Sequence, residues 1–191
     1  MPSLISRSTV NALWIVWLVY WFLSALRVRR NERGESVGQR LFTSLVLVVG
    51  AYLIFAPVTP LGLLNTRFIP EALGIRAVAL AMIVAGLAIT VWARRHIGQF
   101  WSARVMLKEG HELIQSGPYA RVRHPIYSGI FLAMLGTALF VGEWRALLGT
   151  AIFFVGHWFK ARREEALLAG QFGTAYEEYR QRSGSLLPRL R

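Results

Sequence analysis

Two polar clusters interrupt an otherwise apolar chain, and their residue types are those that bind a charged ligand. The first lies in residues 117–129 and combines three rings with two arginines inside nine residues. Its members are Tyr119, Arg121, Arg123, His124 and Tyr127. The second, residues 160–165, follows directly on an apolar run and ends in Glu164 and Glu165. Chains in lipid rarely keep such charge unless it is paired or binds a ligand.

The two adjacent glutamates are the most chemically informative pair. A carboxylate near an apolar environment is costly unless a cation neutralises it. Lys160, Arg162 and Arg163 are close in the sequence, which favours local pairing at helical spacing. The alternative is that Glu164 or Glu165 pairs with a cationic ligand. The sequence leaves both interpretations open.

The composition places the chain in a membrane and excludes several kinds of site. The 191 residues are 54% hydrophobic with a mean hydropathy of +0.42, above the roughly 45–50% apolar usage of soluble domains. There is no cysteine, which excludes disulfides and thiolate chemistry. All ten acidic residues are glutamate, and their spacing predicts no metal site. We assign the net charge of +12 to basic loops facing anionic lipid rather than to nucleic acid.

Five apolar runs approach or reach the length of about 20 residues that a bilayer core requires. They are residues 10–26, 41–57, 73–93, 126–142 and 144–159. The first is expected to be an uncleaved anchor, because most of its flanking arginines follow the apolar run. The last two are joined by almost no loop and should form a glycine-rich helical hairpin. The sequence therefore predicts an all-α integral membrane protein with about five transmembrane helices, in one domain over residues 1–191.

The distribution of Lys and Arg gives these spans an orientation. Basic residues are concentrated in loops 27–40 and 94–125 and in the segment after residue 159. Loop 58–72 has a single basic residue, Arg67. This alternation places the N-terminus outside, the C-terminus in the cytosol and both polar clusters on the cytosolic side. Loop 94–125 is also much longer than most connections, which indicates a functional loop.

The residues after the second polar cluster carry an apolar and aromatic stripe at near-helical spacing. The stripe consists of Leu168, Phe172, Tyr176 and Tyr179. Such spacing is typical of an amphipathic helix, which we expect to fold back on the bundle. A cytosolic cofactor pocket would then form between loop 94–125, the last helical hairpin and this C-terminal helix.

Linked motifs in the C-terminal half resemble the isoprenylcysteine carboxyl methyltransferase family and its prokaryotic relatives. In order, they are His111-x-Leu113-Ile114-x-x-Gly117-Pro118-Tyr119, Arg123-His124-Pro125-x-Tyr127-x-Gly129, Glu164-Glu165-x-x-Leu168, Phe172-Gly173-x-x-Tyr176-x-x-Tyr179 and Leu187-Pro188. The resemblance covers residues 111–188, and the first 70 residues match only as generic spans. It implies a methyltransferase that uses S-adenosylmethionine and a lipophilic acceptor, in a bacterial or archaeal cytoplasmic membrane. Three spans would lie in residues 1–93, and residues 94–191 would form the catalytic half.

The resemblance also implies roles for individual residues. Cofactor contacts are implied at His111, Glu112, Leu113, Ile114, Tyr119, His124, Pro125, Ile126, Tyr127 and Glu164. From the resemblance together with the charges of the two polar clusters, we predict catalytic roles for Lys160, Glu165 and Arg123. Lys160 is also expected to bind the substrate, because it falls where the family usually has an arginine linked to the substrate. A lysine keeps that charge and loses the bidentate fork of the guanidinium.

The residue types suit the charged groups of S-adenosylmethionine. Glu164 can pair with its ammonium, and His124 and Arg123 can hold its carboxylate. Tyr119 or Tyr127 can stack on the adenine or contact the sulfonium. The sequence has no glycine-rich dinucleotide fingerprint, so a soluble-type cofactor domain is not indicated.

The identity of the methyl acceptor decides whether a base is needed. We favour O-methylation of a carboxylate on a prenylcysteine-like or other lipid, which requires alignment and no general base. An amine or hydroxyl acceptor requires a base. The candidates are Glu165, His124 and His157. An isolated histidine such as His157, however, more often forms a hydrogen bond to a neighbouring helix. Three alternatives stay open: a phospholipid N-methyltransferase-like activity, an NADPH-dependent sterol-reductase-like enzyme that uses Arg121 and Arg162, and a non-enzymatic membrane adaptor.

Overall fold

The computed structural model describes residues 5–26, 31–34, 36–56, 61–98, 106–108 and 113–189. Within them the chain forms six α-helices: α1 (Arg7–Ala25), α2 (Val37–Phe55), α3 (Leu73–Ile97), α4 (Pro125–Val141), α5 (Trp144–Phe172) and α6 (Thr174–Arg182). Two short strands, β1 (Asn31–Gly34) and β2 (Met106–Lys108), pair antiparallel. The predicted all-α integral membrane class is confirmed. The two-stranded ribbon is an addition, and it joins two segments that the sequence predicts as loops.

Three of the described helices are long and apolar enough to cross a membrane: α1, α2 and α3. Helix α4 is apolar but has 17 residues. Helix α5 combines an apolar first half with the charged residues 160–165. Five crossings therefore stay a prediction, which depends on α4 and the first half of α5.

Helix α5 is longer than the fifth predicted span. It continues without a break through residues 160–165 to Phe172, so Glu164 and Glu165 lie on the same helix as the apolar run. At about 1.5 Å per residue it extends about 44 Å, more than the roughly 30 Å of a bilayer core. The chain turns at Gly173, whose positive φ of 51° suits glycine. This turn divides the predicted amphipathic stripe between α5 and α6.

Glycines bring the helices into two closely packed pairs. A Cβ atom at Gly86 of α3 would lie 2.5 Å from the Gly129 carbonyl oxygen of α4, and one at Gly129 would lie 2.6 Å from the Gly86 oxygen. Gly50 of α2 and Gly149 of α5 have the same relation, at 2.8 and 2.6 Å. Small residues thus bring the backbones close, as expected in lipid. At these glycines, however, α4 packs on α3 and α5 packs on α2, rather than the two hairpin helices on each other.

Tryptophans fix α1 to the other helices. The Trp14 indole N–H donates to Thr137 Oγ1 of α4 at 3.1 Å, and Trp17 donates to Thr90 Oγ1 of α3 at 2.6 Å. Trp14 also packs edge-on against Phe55 of α2. A buried indole N–H requires a hydrogen-bond partner. Helix α4 supplies the partner of Trp14, and α3 supplies the partner of Trp17.

The C-terminal residues return to the start of α4. Residues 183–186, called the tail segment below, run beside residues 121–124, with a parallel bridge between Val122 and Gly184. The backbone N–H of Arg123 donates to the Gly184 carbonyl oxygen at 2.8 Å, and the backbone N–H of His124 donates to the Ser185 carbonyl oxygen at 3.0 Å. The tail segment therefore fixes the backbone directly before α4, where the first polar cluster lies.

Candidate active site

The first polar cluster lies at the N-terminus of α4, where the backbone leaves a tight turn. Residues Gly117–Ala120 form a 3-10 turn, and Gly117 has a positive φ of 57° that suits glycine. Pro125 occupies the first position of α4, where its missing N–H sacrifices no helical hydrogen bond. His124 is thereby held directly before the helix, and it is 7% exposed.

Glu165 on α5 accepts hydrogen bonds from three side chains. Its Oε1 atom accepts from Arg123 Nε at 3.0 Å, His124 Nε2 at 3.1 Å and Ser185 Oγ at 2.8 Å. Arg123 also donates to the Ser183 carbonyl oxygen at 2.6 Å. We call Arg123, His124, Glu165 and Ser185 the clamp, because together they join α4, α5 and the tail segment.

Glu164 contacts the other nitrogen of His124. Its Oε2 atom lies 3.4 Å from His124 Nδ1, and its Oε1 accepts from the Tyr127 hydroxyl at 2.5 Å. Both imidazole nitrogens therefore face carboxylates, which favours an imidazolium that donates from both. The Glu164 side chain is 21% exposed, compared with 9% for Glu165. Glu164 is therefore the carboxylate that a cation from solution reaches more easily.

The charges of these groups depend on one another. Burial lowers the pKa of His124, but hydrogen bonds to Glu164 and Glu165 and their charges outweigh burial and raise it above the ordinary 6.5. Burial raises the pKa of Glu165, but its bonds with His124 and Arg123 reverse this and hold the pKa at about 2. The pKa of Glu164 is also lowered, because His124 and Lys160 outweigh the effect of burial. A carboxylate with so low a pKa is a weak base. The low pKa and the three donors on Oε1 together favour a positioning role for Glu165.

Tyr127 links the carboxylates to Lys160 and His157. Its ring stacks on the His124 imidazole with centroids 5.4 Å apart and an interplanar angle of 5°. The Lys160 Nζ lies 5.5 Å from the Tyr127 centroid, inside the cation–π range of about 6 Å. The His157 ring meets Tyr127 edge-on at 4.8 Å. The structure thus places the Glu164 carboxylate, two histidines and a lysine around the Tyr127 side chain.

Tyr119, a predicted cofactor contact, is buried between α3 and α6. Its hydroxyl lies 3.5 Å from the Ala93 carbonyl oxygen, and its own carbonyl accepts from the Tyr179 hydroxyl at 2.6 Å. Its ring stacks on His96 with centroids 6.3 Å apart. Burial raises the pKa of the Tyr119 hydroxyl, so it stays protonated. These contacts give Tyr119 a packing role, and its contact with a cofactor stays a prediction.

The remaining predicted cofactor contacts have different surroundings. Ile126 lies in the hydrophobic core, and Ile114 packs against that core. Leu113 is half-buried. His111 and Glu112 lie outside the described residues. The described part of the site therefore consists of the last residues of loop 94–125, the first turn of α4 and the charged half of α5.

Part of the clamp could not be found from residue types. Ser185 gives its hydroxyl to Glu165, and the carbonyl oxygens of Ser183 and Arg180 accept from Arg123. A serine near the C-terminus has no chemical signature, and a carbonyl oxygen is independent of residue type. The one signal in this region was the Leu187-Pro188 motif of the resemblance.

The side chains at the site suit a ligand that carries charges of both signs. Glu164 and the face of Tyr127 offer partners for an ammonium or a sulfonium. Lys160 offers a cation for a carboxylate. These are the charged groups of S-adenosylmethionine, so the residues fit this cofactor. Over the residues that the structure describes, no group of His, Cys, Asp and Glu side chains could hold a metal ion.

Fold and site together define a helical membrane protein with a cluster of charged and aromatic side chains where the start of α4 meets the charged half of α5. A model of the phospholipid methyltransferase family matches residues 75–175, which is more than half of the chain. The chain belongs to this family. The match begins in α3, before the motifs at residues 111–188, so α3 is part of what the family shares.

Individual relatives carry isoprenylcysteine methyltransferase names. The protein-S-isoprenylcysteine O-methyltransferase of Schizosaccharomyces pombe is 36% identical over 114 residues, which are 58% of this chain and 48% of the relative. A probable protein-S-isoprenylcysteine O-methyltransferase of Oryza sativa subsp. indica is 34% identical over 116 residues, 58% of this chain and 60% of the relative. The matches therefore span about half to three-fifths of the length of these curated relatives.

A solved structure has the same fold. It is the eukaryotic intramembrane Ras methyltransferase, isoprenylcysteine carboxyl methyltransferase, with a TM-score of 0.52 and 19% identity. The likeness covers 96% of this chain and 87% of that one. With the named relatives, it confirms the resemblance predicted from the motifs. These comparisons favour neither the reductase nor the adaptor alternative.

Proposed function

We propose that this protein transfers a methyl group from S-adenosylmethionine to a lipophilic acceptor in the membrane. The observation that carries the proposal is the position of Glu164, which Tyr127 and His124 hold where the start of α4 meets the charged half of α5, one helical turn from Lys160. Family membership and the names of the relatives support this class of reaction. O-methylation of a carboxylate is the favoured reaction.

Glu164 is the proposed partner of the cofactor's ammonium group. It is the more exposed of the two carboxylates, and its lowered pKa keeps it ionised. Its contacts with Tyr127 and His124 fix its orientation. The Tyr127 ring offers a face to the sulfonium. When bound, the cofactor supplies an electrophilic methyl group.

Arg123 and Glu165 act as positioning residues in this proposal. Three donors occupy Glu165 Oε1, and Arg123 is committed to Glu165 and to carbonyl oxygens near the end of the chain. Their shared task is to hold His124 and the tail segment in place. This differs from the catalytic roles predicted for both residues from the sequence.

Lys160 is the proposed partner of the acceptor's carboxylate. Its side chain is buried, packs against Tyr127 and follows directly on the apolar half of α5. A lipid in the membrane would therefore present its head group at this point. A carboxylate is already a nucleophile, so alignment and exclusion of water supply the rate, up to about 7–11 kcal/mol for well-oriented reactants. The predicted orientation places this site on the cytosolic side.

The experiment is transfer of labelled methyl groups from S-adenosylmethionine to a lipid extract by the purified protein in detergent. We expect a base-labile methyl ester with the wild type and little label with Glu164→Gln. Glu177→Gln makes the same change at an exposed position of α6 and should retain activity. A base-stable labelled amine would show that the reaction is phospholipid N-methylation and not methylation of a carboxylate. Absence of label in every lipid would refute the proposed function.

A further inference from the structure

His157 is a buried histidine that a carboxylate acceptor does not require. Its Nδ1 lies 3.0 Å from the Phe153 carbonyl oxygen, one helical turn earlier. A carbonyl oxygen only accepts, so Nδ1 carries a proton. Burial and the nearby Lys160 ammonium disfavour a second positive charge, so the ring is neutral and presents a lone pair at Nε2. Among the described residues, none donates a hydrogen bond to this Nε2. The rings of Phe153 and Tyr127, with centroids 4.3 and 4.8 Å away, fix the imidazole between them.

Lys160 lies one turn further along the same face of α5. Residues three or four apart share a helix face, and Phe153, His157, Lys160 and Glu164 follow this spacing. His157 and Lys160 also contact the same Tyr127 ring. From the apolar half of α5 towards its charged half, this face therefore presents an aromatic ring, a proton acceptor, a cation and a carboxylate.

A proton acceptor beside a cation is suited to ionising a weak oxygen acid. The base receives the proton, and the cation stabilises the oxyanion that remains. The same pair disfavours an amine acceptor, because its nitrogen gains positive charge on methylation next to the Lys160 ammonium. A carboxylate needs no base. His157 therefore has a chemical task when the acceptor arrives with a proton on oxygen.

We propose that His157 and Lys160 bind a lipid with a weakly acidic hydroxyl, a phenol or an enol, and remove its proton, so that the protein methylates such hydroxyls as well as carboxylates. The O–H bond breaks, its electron pair stays on oxygen beside the Lys160 ammonium, and a new N–H bond forms at His157 Nε2. The methyl transfer that follows rests on the proposed function. In it an O–C bond forms, the sulfur–methyl bond breaks with its electron pair left on sulfur, and the imidazolium returns its proton to water.

The binding step is measured without cofactor, using a dodecyl-substituted para-nitrophenol whose ionised form absorbs visible light. We expect the protein-bound probe to be ionised, with an apparent pKa about 1–2 below that of the same probe in empty detergent micelles. Because His157 keeps the proton, calorimetry in buffers of different ionisation enthalpy should show almost no proton release. A bound probe that stays protonated would overturn the proposal. An ionised probe that releases about one proton per molecule to the buffer would also overturn it.

Variants separate proton transfer from packing. His157→Gln should bind ionised probe only with release of a proton, and Lys160→Met should leave the probe protonated. Phe153→Leu loosens the packing of the imidazole and keeps both groups, so it should behave as the wild type does. Tyr127 and Glu164, the other titratable side chains that act on His157, are intact in all three variants. If Phe153→Leu reproduced His157→Gln, the effect would be one of packing and the proposal would fail.

Kinetics then distinguish this inference from the proposed function. With S-adenosylmethionine present, the rate of dodecylphenol methylation relative to that of an S-prenylcysteine carboxylate should fall about 10²–10⁴-fold in His157→Gln. The ratio should be unchanged in Phe153→Leu. Methylation of carboxylates without capture of the phenolate would refute the inference alone. Capture of the phenolate without methylation of any lipid would refute the proposed function alone.

Discussion

Replacement of Glu165 by glutamine tests whether the clamp stabilises the fold at the active site. The substitution keeps the volume of the side chain and removes the negative charge that Arg123 and His124 face. Both side chains of the Arg123–Glu165 pair are 9% exposed, so water cannot replace the lost carboxylate. Among its described acceptors, Arg123 then keeps the carbonyl oxygens of Ser183 and Arg180 and the Ser183 hydroxyl.

The size of the effect follows from this burial. Removal of one partner from a buried ion pair destabilises a protein by about 3–5 kcal/mol. The carbonyl acceptors that remain for Arg123 place this variant near the lower end, at about 3 kcal/mol. For a chain of this length, each kcal/mol shifts the Tm by about 2–4 °C, which gives a fall of about 6–12 °C.

Thermal unfolding in detergent, followed by the fluorescence of the seven tryptophans, measures this fall. Tryptic cleavage after Arg182 should become faster, because the tail segment loses its bond to Glu165. The control is Glu177→Gln on α6, whose pair with Arg180 is exposed and contributes about 0–1 kcal/mol. A Tm of Glu165→Gln within about 2 °C of the control, together with cleavage that is no faster, would show that the clamp does not stabilise the fold.

Three further predictions concern packing, pH and the acceptor. Gly86→Ala should lower the free energy of unfolding by about 1–3 kcal/mol, because its Cβ meets the carbonyl of Gly129. The control Gly170→Ala, with open space around it, should be neutral or stabilising. Equal Tm values for the two variants would contradict this prediction. The free energy that His124 contributes to stability is present below pH 6.5 and is lost as the pH rises through its raised pKa. The contribution of Glu165 is present above pH 4.5 and is lost as the pH falls towards 2. The Tm should therefore be highest between these limits, and His124→Asn should remove the alkaline decline. Lys160→Met should raise the KM of a carboxylate acceptor about 10–100-fold, whereas Lys160→Arg, which retains the positive charge, should keep the KM close to that of the wild type. Steady-state kinetics that showed no difference between Lys160→Met and the wild type would exclude Lys160 from substrate binding.

The class of fold was predictable because apolar runs report contact with lipid directly. The end of α5 was not, because hydropathy falls at Lys160 while the tendency to form a helix does not. Lys, Arg, Glu and Ala are all good helix formers, so residues 160–165 continue the helix beyond the apolar run. Glycines indicated close approach of helices, but a glycine does not specify its partner. The α3 partner of Gly129 was therefore visible only in the structure.

The site was predictable in its side chains and less so in its connections. His124 and Glu164 lie at the ends of apolar runs and within the motifs of the resemblance, so both could be selected before their contact was known. The division of labour between Glu164 and Glu165 depends on which oxygen meets which donor. That is set by side-chain rotamers and by the return of Ser185 to the start of α4, neither of which leaves a pattern in the sequence.

Calorimetric titration of S-adenosylmethionine into the purified protein tests most directly whether Glu164, held by His124 and Tyr127, binds the cofactor. We predict binding to the wild type, affinity reduced about 10–100-fold in Glu164→Gln, and wild-type affinity in the exposed control Glu177→Gln. Equal affinity for the wild type and Glu164→Gln, or binding of NADPH in place of S-adenosylmethionine, would contradict the account.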